Sequence, residues 1–156
     1  MNASQWAGDY LAAGITAIEL DAANFGNSDL ALRLLFEDPA GGPLLNEAAS
    51  ASALLLPAGS GWVHLTFPIQ PGDLTPLFGS VDAVLANTTV PRLYHSPTAV
   101  FPGPSLVASL GVDNISAAAA PVVPEPATEL LVGIGLAGSV ARHRRMRGRR
   151  RGPASS

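Results

Sequence analysis

The sequence contains no cysteine and no lysine, and only 13% of its 156 residues are charged. Without cysteine the chain cannot form disulfides, thiolate nucleophiles or cysteine-ligated zinc and iron–sulfur sites. So low a charged fraction is unusual for a soluble protein. The N-terminus has neither a basic region nor an apolar run, and so it does not have the pattern of a secretory signal peptide.

The charges that are present divide the chain into two unlike parts. Residues 1–141 hold two arginines and all twelve acids, a net charge of −10. Residues 142–156 hold seven arginines and no acid, a net charge of +7. The overall charge of −3 therefore says little about partners. The seven clustered arginines are Arg142, Arg144, Arg145, Arg147, Arg149, Arg150 and Arg151.

Alternating residues in the first part of the chain predict β-strands with one buried face. Segment 28–37 has Leu30, Leu32, Leu34 and Phe36 on one face and Ala31, Arg33, Leu35 and Glu37 on the other. Segments 14–21 and 61–69 alternate in the same way. The shorter strand candidates are 50–56, 81–86, 91–95 and 105–117, and Gly72–Gly79 can instead start a helical turn capped by Asp73.

Glycine and proline together account for 30 residues, and they separate these candidate strands as turn signals. About seven short strands at this spacing predict an antiparallel β-sandwich. The predicted sandwich covers residues 1–117, and the fold class is all-β. No catalytic, cofactor or metal motif accompanies it.

The composition changes after residue 117. An Ala/Pro-rich linker over 118–126 is followed by an apolar stretch over 127–141 and a basic tail over 142–156. Fifteen helical residues span about 22 Å, against a membrane hydrocarbon core of about 30 Å. The sequence predicts one short transmembrane helix, with the seven arginines as a cytoplasmic stop-transfer signal. The body would then lie on the far side of the membrane.

The tail resembles the PEP-CTERM sorting signal of exported proteins in biofilm-forming Gram-negative bacteria. Pro124, Glu125 and Pro126 match its tripeptide, 127–141 its apolar helix and 142–151 its basic end. The resemblance implies recognition by an exosortase, a membrane-embedded processing enzyme. It also implies transient residence in the inner membrane, followed by delivery to the cell surface or extracellular matrix. Glu129 departs from the family, which usually has an apolar residue there.

The resemblance implies N-terminal export, which the first residues do not provide. We therefore expect residue 1 to be an internal start or the end of a truncated record, with one or two strands of the sandwich missing before it.

The body loosely resembles galactose-binding-like jelly-roll domains, which include carbohydrate-binding modules. The similar segments are Leu110–Ala117, Trp6–Gly14 and Leu30–Leu34. This resemblance implies a jelly-roll-like sandwich with a role in glycan binding or in the matrix. Trp6, Trp62 and Tyr94 could stack on sugar rings, and the alternative is that they pack in the core or at its edge.

Other candidate sites have structural alternatives. His64 and His95 lack metal-ligand spacing, and Ser96 is a neighbour of His95 in sequence only. Asp9, Asp113 and Asn114 could share a calcium ion, or they could cap turns and strand ends.

We expect a non-enzymatic exported protein that has no cofactor, and exopolysaccharide is a candidate partner. The alternatives are a fragment of a secreted glycan-active enzyme, whose catalytic residues lie upstream, and a plain bitopic membrane protein. Nucleic acid is not expected as a partner, because the arginine run contains no aromatic residue and adjoins an apolar segment.

Overall fold

The structure is a computed structural model that describes residues 5–38, 46–88 and 90–120. The chain divides into two units, residues 1–120 and 121–156, and all described residues belong to the first. The predicted linker motif, apolar helix and arginine cluster lie outside them. Within the described ranges, no helix is long and apolar enough to cross a membrane.

The described residues form eight β-strands and one short α-helix. They are β1 (Ile15–Asn24), β2 (Leu30–Asp38), β3 (Asn46–Ser50), β4 (Leu54–Leu56), β5 (Val63–Pro68), β6 (Leu74–Phe78), α1 (Val81–Ala86), β7 (Val90–His95) and β8 (Leu110–Ala119). A three-stranded sheet has the order β5-β1-β8. In the five-stranded sheet, β7 pairs with one edge of β2, β3 and β4 pair with the other, and β6 pairs with β3. Every pairing is antiparallel, which confirms the predicted all-β antiparallel fold.

Apolar side chains of both sheets form one core, as the alternating patterns predicted. β1 contributes Ile18 and Leu20, and β5 contributes Leu65 and Phe67. The face of β2 that was predicted to be buried lies entirely in this core: Leu30, Leu32, Leu34 and Phe36. Burial of apolar area on this scale is the main force that holds the two sheets together.

Two local predictions are wrong. Segment 81–86 is the helix α1, because the Ser80 hydroxyl accepts a hydrogen bond from the Ala83 N–H at 3.1 Å and caps it. The segment from Gly72 to Gly79 is mainly the strand β6, which follows a 3₁₀ turn. Asp73 closes that turn by accepting from the Gln70 N–H at 3.0 Å.

Two other strand candidates have different bounds in the structure. The candidate over 50–56 is the end of β3 and the whole of β4, with a turn between them. The candidate over 105–117 begins later, at Leu110, and continues to Ala119.

The second face of β2 is buried as well, contrary to the expectation of one solvent-facing side. Ala31, Arg33 and Leu35 are all buried. The Arg33 guanidinium donates to the carbonyls of Ser96 and Pro97, at 2.9 and 3.0 Å, and to that of Ser50. The chain after β7 therefore folds back over this face, and it satisfies a buried cation with backbone oxygens instead of water.

Candidate functional site

The outer face of the three-stranded sheet carries an exposed pair of aromatic rings. Phe25 follows the last residue of β1, Trp62 precedes the first residue of β5, and their side chains are 62% and 56% exposed. Their ring centroids are 6.2 Å apart with an interplanar angle of 82°, an edge-to-face contact. Two large aromatic side chains on the surface, held by each other, are a typical feature of an interaction site.

Two small residues make the surface beneath these rings. Ala23 of β1 lies opposite Gly111 of β8, and Ala23 is completely buried although its neighbour Ala22 points into the core. A Cβ atom at Gly111 would lie 2.9 Å from Cε2 of Phe25 and 3.1 Å from Cη2 of Trp62. The indole therefore lies over Gly111, the residue that pairs with Ala23. We call these four residues the aromatic platform.

A polar row continues the same face along the strands. Asp21 lies two residues before Ala23 on β1, and so it points to the same side of the sheet. Its Oδ1 is 2.9 Å from Nδ1 of His64, and its Oδ2 accepts from the Asn114 amide at 2.7 Å. Because an ionised carboxylate only accepts, Nδ1 of His64 carries the proton. Nε2 of the same ring is 3.9 Å from Oε2 of Glu19.

A β-bulge in β8 directs Asn114 towards Asp21. Glu19 pairs with Ser116 and Asp21 with Asp113, so two residues of β8 lie opposite Leu20 alone. Asn114 has a positive φ of 50°, a conformation that asparagine tolerates better than most residues. The next residue, Ile115, packs against the core. The bulge thus places an amide on the outer face without removing an apolar side chain from the inner one.

These hydrogen bonds keep Asp21 charged. The bond from the Asn114 side chain and then the bond from His64 lower the pKa of Asp21 below its ordinary value. Asp113 is exposed and accepts from the adjacent Asn114 N–H at 2.8 Å. The row therefore presents negative charge next to an aromatic surface.

The structure separates the three aromatic residues that were predicted to stack on sugars. Trp62 is exposed in the platform. Trp6 packs against the core instead, and Tyr94 is half-buried in an edge-to-face contact with Phe101, at 5.3 Å between centroids. Core or edge packing therefore accounts for Trp6 and Tyr94, whereas Trp62 stays a candidate binding residue.

Most of the remaining candidate side chains have structural partners. His64 is exposed and hydrogen-bonded to Asp21, and Nδ1 of His95 accepts from the Ala31 N–H at 2.9 Å. Ser96 is buried. The Asp9 carboxylate accepts from the Ala12 N–H at 2.8 Å and closes a turn. In the described part of the chain, no three His, Asp or Glu side chains gather as metal ligands.

A groove of about 390 Å³ lies elsewhere, between the N-terminal segment and the middle of β8. Its wall includes Trp6, Asp9 and Tyr10. The Tyr10 hydroxyl donates to the Trp6 carbonyl at 2.9 Å, and Asp9 is committed to its turn. The Tyr10 hydroxyl and the Asp9 carboxylate of the groove thus maintain local structure, so the platform and polar row are the better candidate site.

Sequence reasoning identified Trp62, His64, Asp113 and Asn114 but missed Glu19, Asp21, Phe25, Ala23 and Gly111. The signal for Phe25 was a large apolar residue inside the turn sequence Asn24–Asn27. Ala23 and Gly111 gave no signal, because their importance depends on being opposite each other in the sheet.

Residues 122–145 match the family model of the PEP-CTERM protein-sorting motif. This range contains Pro124, Glu125 and Pro126, and the resemblance predicted for the tail is confirmed: the chain carries a PEP-CTERM sorting motif. Such signals are processed by exosortase, a membrane enzyme, and the motif implies export through the membrane towards the cell surface. No curated protein and no solved structure matches the chain. The likeness of the body to galactose-binding-like domains stays a prediction.

Proposed function

Starting from the sorting motif, we propose that this chain is a non-enzymatic surface protein whose β-sandwich binds a glycan. Exosortase-type processing of the tail delivers the sandwich to the cell surface or extracellular matrix, where exopolysaccharide is the candidate ligand. The observation that carries the proposal is the aromatic platform, with Trp62 more than half exposed on a floor of Ala23 and Gly111.

The chemistry of the platform suits a sugar ring. The C–H groups on one face of a pyranose pack against an aromatic surface, and aromatic contacts of this kind contribute about 0.5–1.5 kcal/mol beyond area burial. The hydroxyl groups of the same sugar need polar partners at its edge. His64, Asp21 and Asn114 supply ring nitrogen, carboxylate and amide groups on the same sheet face.

The strand pairing agrees with a jelly roll in the nesting of its pairs but not in their distribution between the sheets. β1 pairs with β8, β2 with β7 and β3 with β6. These pairs are nested in sequence, as in a long hairpin folded over on itself. In a jelly roll, successive nested pairs alternate between two sheets, whereas here the second and third pairs share the five-stranded sheet.

Polysaccharide binding by the full chain in mild detergent tests the glycan proposal. Trp62→Ala is expected to weaken binding about tenfold, because one lost stacking contact of about 1.4 kcal/mol corresponds to tenfold in affinity. Leu55→Ala is the matched control, since Leu55 is 74% exposed on β4 of the other sheet. Equal affinity of Trp62→Ala and the Leu55→Ala control would reject the platform as the binding site.

Mass spectrometry of the mature protein from a bacterium with an active exosortase tests the processing step. We expect surface-exposed protein to have lost the arginine cluster. A triple variant, Pro124→Ala, Glu125→Ala and Pro126→Ala, should retain it and stay in the membrane fraction, whereas Leu55→Ala should be processed normally. Surface protein that still contains Arg151 would contradict processing and favour a plain bitopic anchor.

A further inference from the structure

The charges around the aromatic platform restrict the kind of glycan that it can accept. Glu19, Asp21 and Asp113 lie on the same outer face, next to the platform. His64 is the one basic side chain within this group, and it is held by Asp21. An anionic sugar placed on Trp62 would therefore meet carboxylates of like charge, which is unfavourable.

The arginines of the described residues do not neutralise the carboxylates around the platform. Residues 1–120 contain ten acids and two arginines. Arg33 is buried with its guanidinium bonded to three backbone carbonyls. Arg92 is on β7 of the other sheet, in an ion pair with Glu37. No cation from these two side chains is available to an acidic ligand at the platform.

Asp21 retains the capacity to accept further hydrogen bonds. A carboxylate has about four lone-pair sites, and His64 and Asn114 occupy one on each oxygen. Asp21 precedes Ala23 by two strand positions, a distance of about 7 Å along β1. This distance is on the scale of one sugar unit, so a glycan stacked on Trp62 brings the substituents of its next unit over Asp21.

From the aromatic platform and the negative charge of the side chains around it, we propose that the ligand is a polysaccharide with free amino groups. This inference rests on the proposed glycan-binding function. A protonated amine on one sugar unit donates to Asp21, while the adjacent unit stacks on Trp62. Acetylation of the amine removes both its charge and its additional N–H donors, so it should weaken binding.

Binding of three oligosaccharides of equal length to the full chain in mild detergent shows whether the ligand carries free amines, acetylated amines or carboxylates. They are a β-1,4-linked glucosamine hexamer, its fully N-acetylated form and a hexamer of uronic acid. The glucosamine hexamer is expected to bind about fivefold more tightly than the acetylated form, the upper range for an exposed charge pair. Its affinity should fall with added salt. The uronic acid hexamer should show the weakest Trp62-dependent binding, since its binding to the arginine cluster of the tail does not depend on Trp62.

Substitutions show whether the preference comes from this face or from the overall negative charge. Asp21→Asn should reduce the preference for free amines. Asp113→Asn should reduce it as well, because the Asp113 carboxylate of the parent bonds only to a neighbouring backbone N–H. Asp82→Asn removes the same charge from the helix α1, which packs against the other sheet, and it should retain the preference.

Each outcome decides between the two proposals. Equal binding of both hexamers that still depends on Trp62 overturns the amine inference and leaves glycan binding intact. A preference that persists in Asp21→Asn and Asp113→Asn, or tightest Trp62-dependent binding of the uronic acid hexamer, also overturns it. Absence of Trp62-dependent binding to any hexamer, or to the polysaccharides tested above, rejects the glycan-binding function itself.

Discussion

Arg33 is expected to be the charged residue on which the stability of the sandwich depends most. It lies in the centre of β2 and is 4% exposed. Its guanidinium joins three parts of the chain, because it donates to the carbonyls of Ser50 at the end of β3 and of Ser96 and Pro97 after β7. Arg33→Met retains most of the aliphatic stem and removes all three hydrogen bonds.

The magnitude follows from two opposing terms. Hydrogen bonds to a charged donor contribute about 1.5–3 kcal/mol each, so three of them amount to about 4–9 kcal/mol. Removing the guanidinium also removes its desolvation penalty, which is several kcal/mol for a buried ion. The three carbonyls are left without this donor, and we expect Arg33→Met to lower the free energy of unfolding by about 3 kcal/mol.

Urea-induced unfolding of the full chain, monitored by tryptophan fluorescence, measures this difference. Arg92→Met is the matched control, since Arg92 is a half-exposed arginine in a surface ion pair with Glu37, and such pairs contribute at most about 1 kcal/mol. Arg33→Lys should fall between them, because a single ammonium cannot reproduce the fork of the guanidinium. If Arg33→Met is no less stable than Arg92→Met, the hydrogen bonds from Arg33 to the three carbonyls do not stabilise the fold.

Substitutions at three further positions test local features. Tyr94→Phe should raise the unfolding free energy by up to about 1 kcal/mol in urea, because the Tyr94 hydroxyl is buried without a hydrogen-bond partner. Since burial raises the pKa of Tyr94, its neutral form stabilises the fold below about pH 10, and the variant should lose less stability than the parent as the pH rises further. Asn114→Gly should raise the pKa of Asp21 towards its ordinary value in an NMR titration, and Asn114→Ala should be about 1 kcal/mol less stable than Asn114→Gly because of the positive φ. Gly111→Ala should displace the rings of the platform, because its Cβ would contact both of them. We expect a shifted tryptophan emission, weaker glycan binding and a change in unfolding free energy below about 1 kcal/mol. An unchanged emission spectrum would contradict the contact.

The Asp21 hydrogen bonds also predict a direction for acid sensitivity. Because the folded state lowers the pKa of Asp21, its contribution to stability is present above about pH 4 and is lost as the pH falls through the lower, folded-state value. Asp21→Asn should therefore flatten the acid limb of a stability–pH curve. An acid limb of the same slope in parent and variant would contradict this linkage.

The alternation of apolar residues was enough to predict the inner faces of β1, β2 and β5. It failed where a short apolar segment fits either a helix or a strand. In 81–86 the decisive features were Ser80 as the cap and Asp82 in the first turn, and both are readable in the sequence. In 72–79, Asp73 closes a tight turn that begins at Pro71, and Pro76 lies in the strand that follows instead of starting a helix.

Burial of Arg33 could not be predicted in the same way. The residue sits on the polar side of a clear alternating pattern, and its acceptors are backbone carbonyls with no side-chain signature. The segment that covers it begins at Ser96, 63 residues further along the chain, and includes Gly103, whose Cβ position would lie 2.0 Å from the His95 carbonyl oxygen. Pattern reasoning finds one buried face of a strand, whereas a covering loop depends on tertiary structure.

The candidate site depends on pairing between the two ends of the sandwich. Ala23 and Gly111 are opposite each other only in the observed register of β1 and β8, and a slip by one residue would turn Asp113 inwards. The bulge at Asn114 allows Ile115 to reach the core while the Asn114 amide reaches Asp21. The last strand thus completes both the platform and the polar row.

That strand ends at Ala119, and the match to the sorting motif begins at residue 122. Removal of the tail within or after Pro124–Pro126 would leave all of β8 in place, together with Gly111, Asp113 and Asn114. Cleavage before Ala119 would instead remove backbone pairs with the start of β1. The position of the motif therefore allows the sorting signal to be removed while the proposed ligand face is retained, as a protein that acts after processing requires.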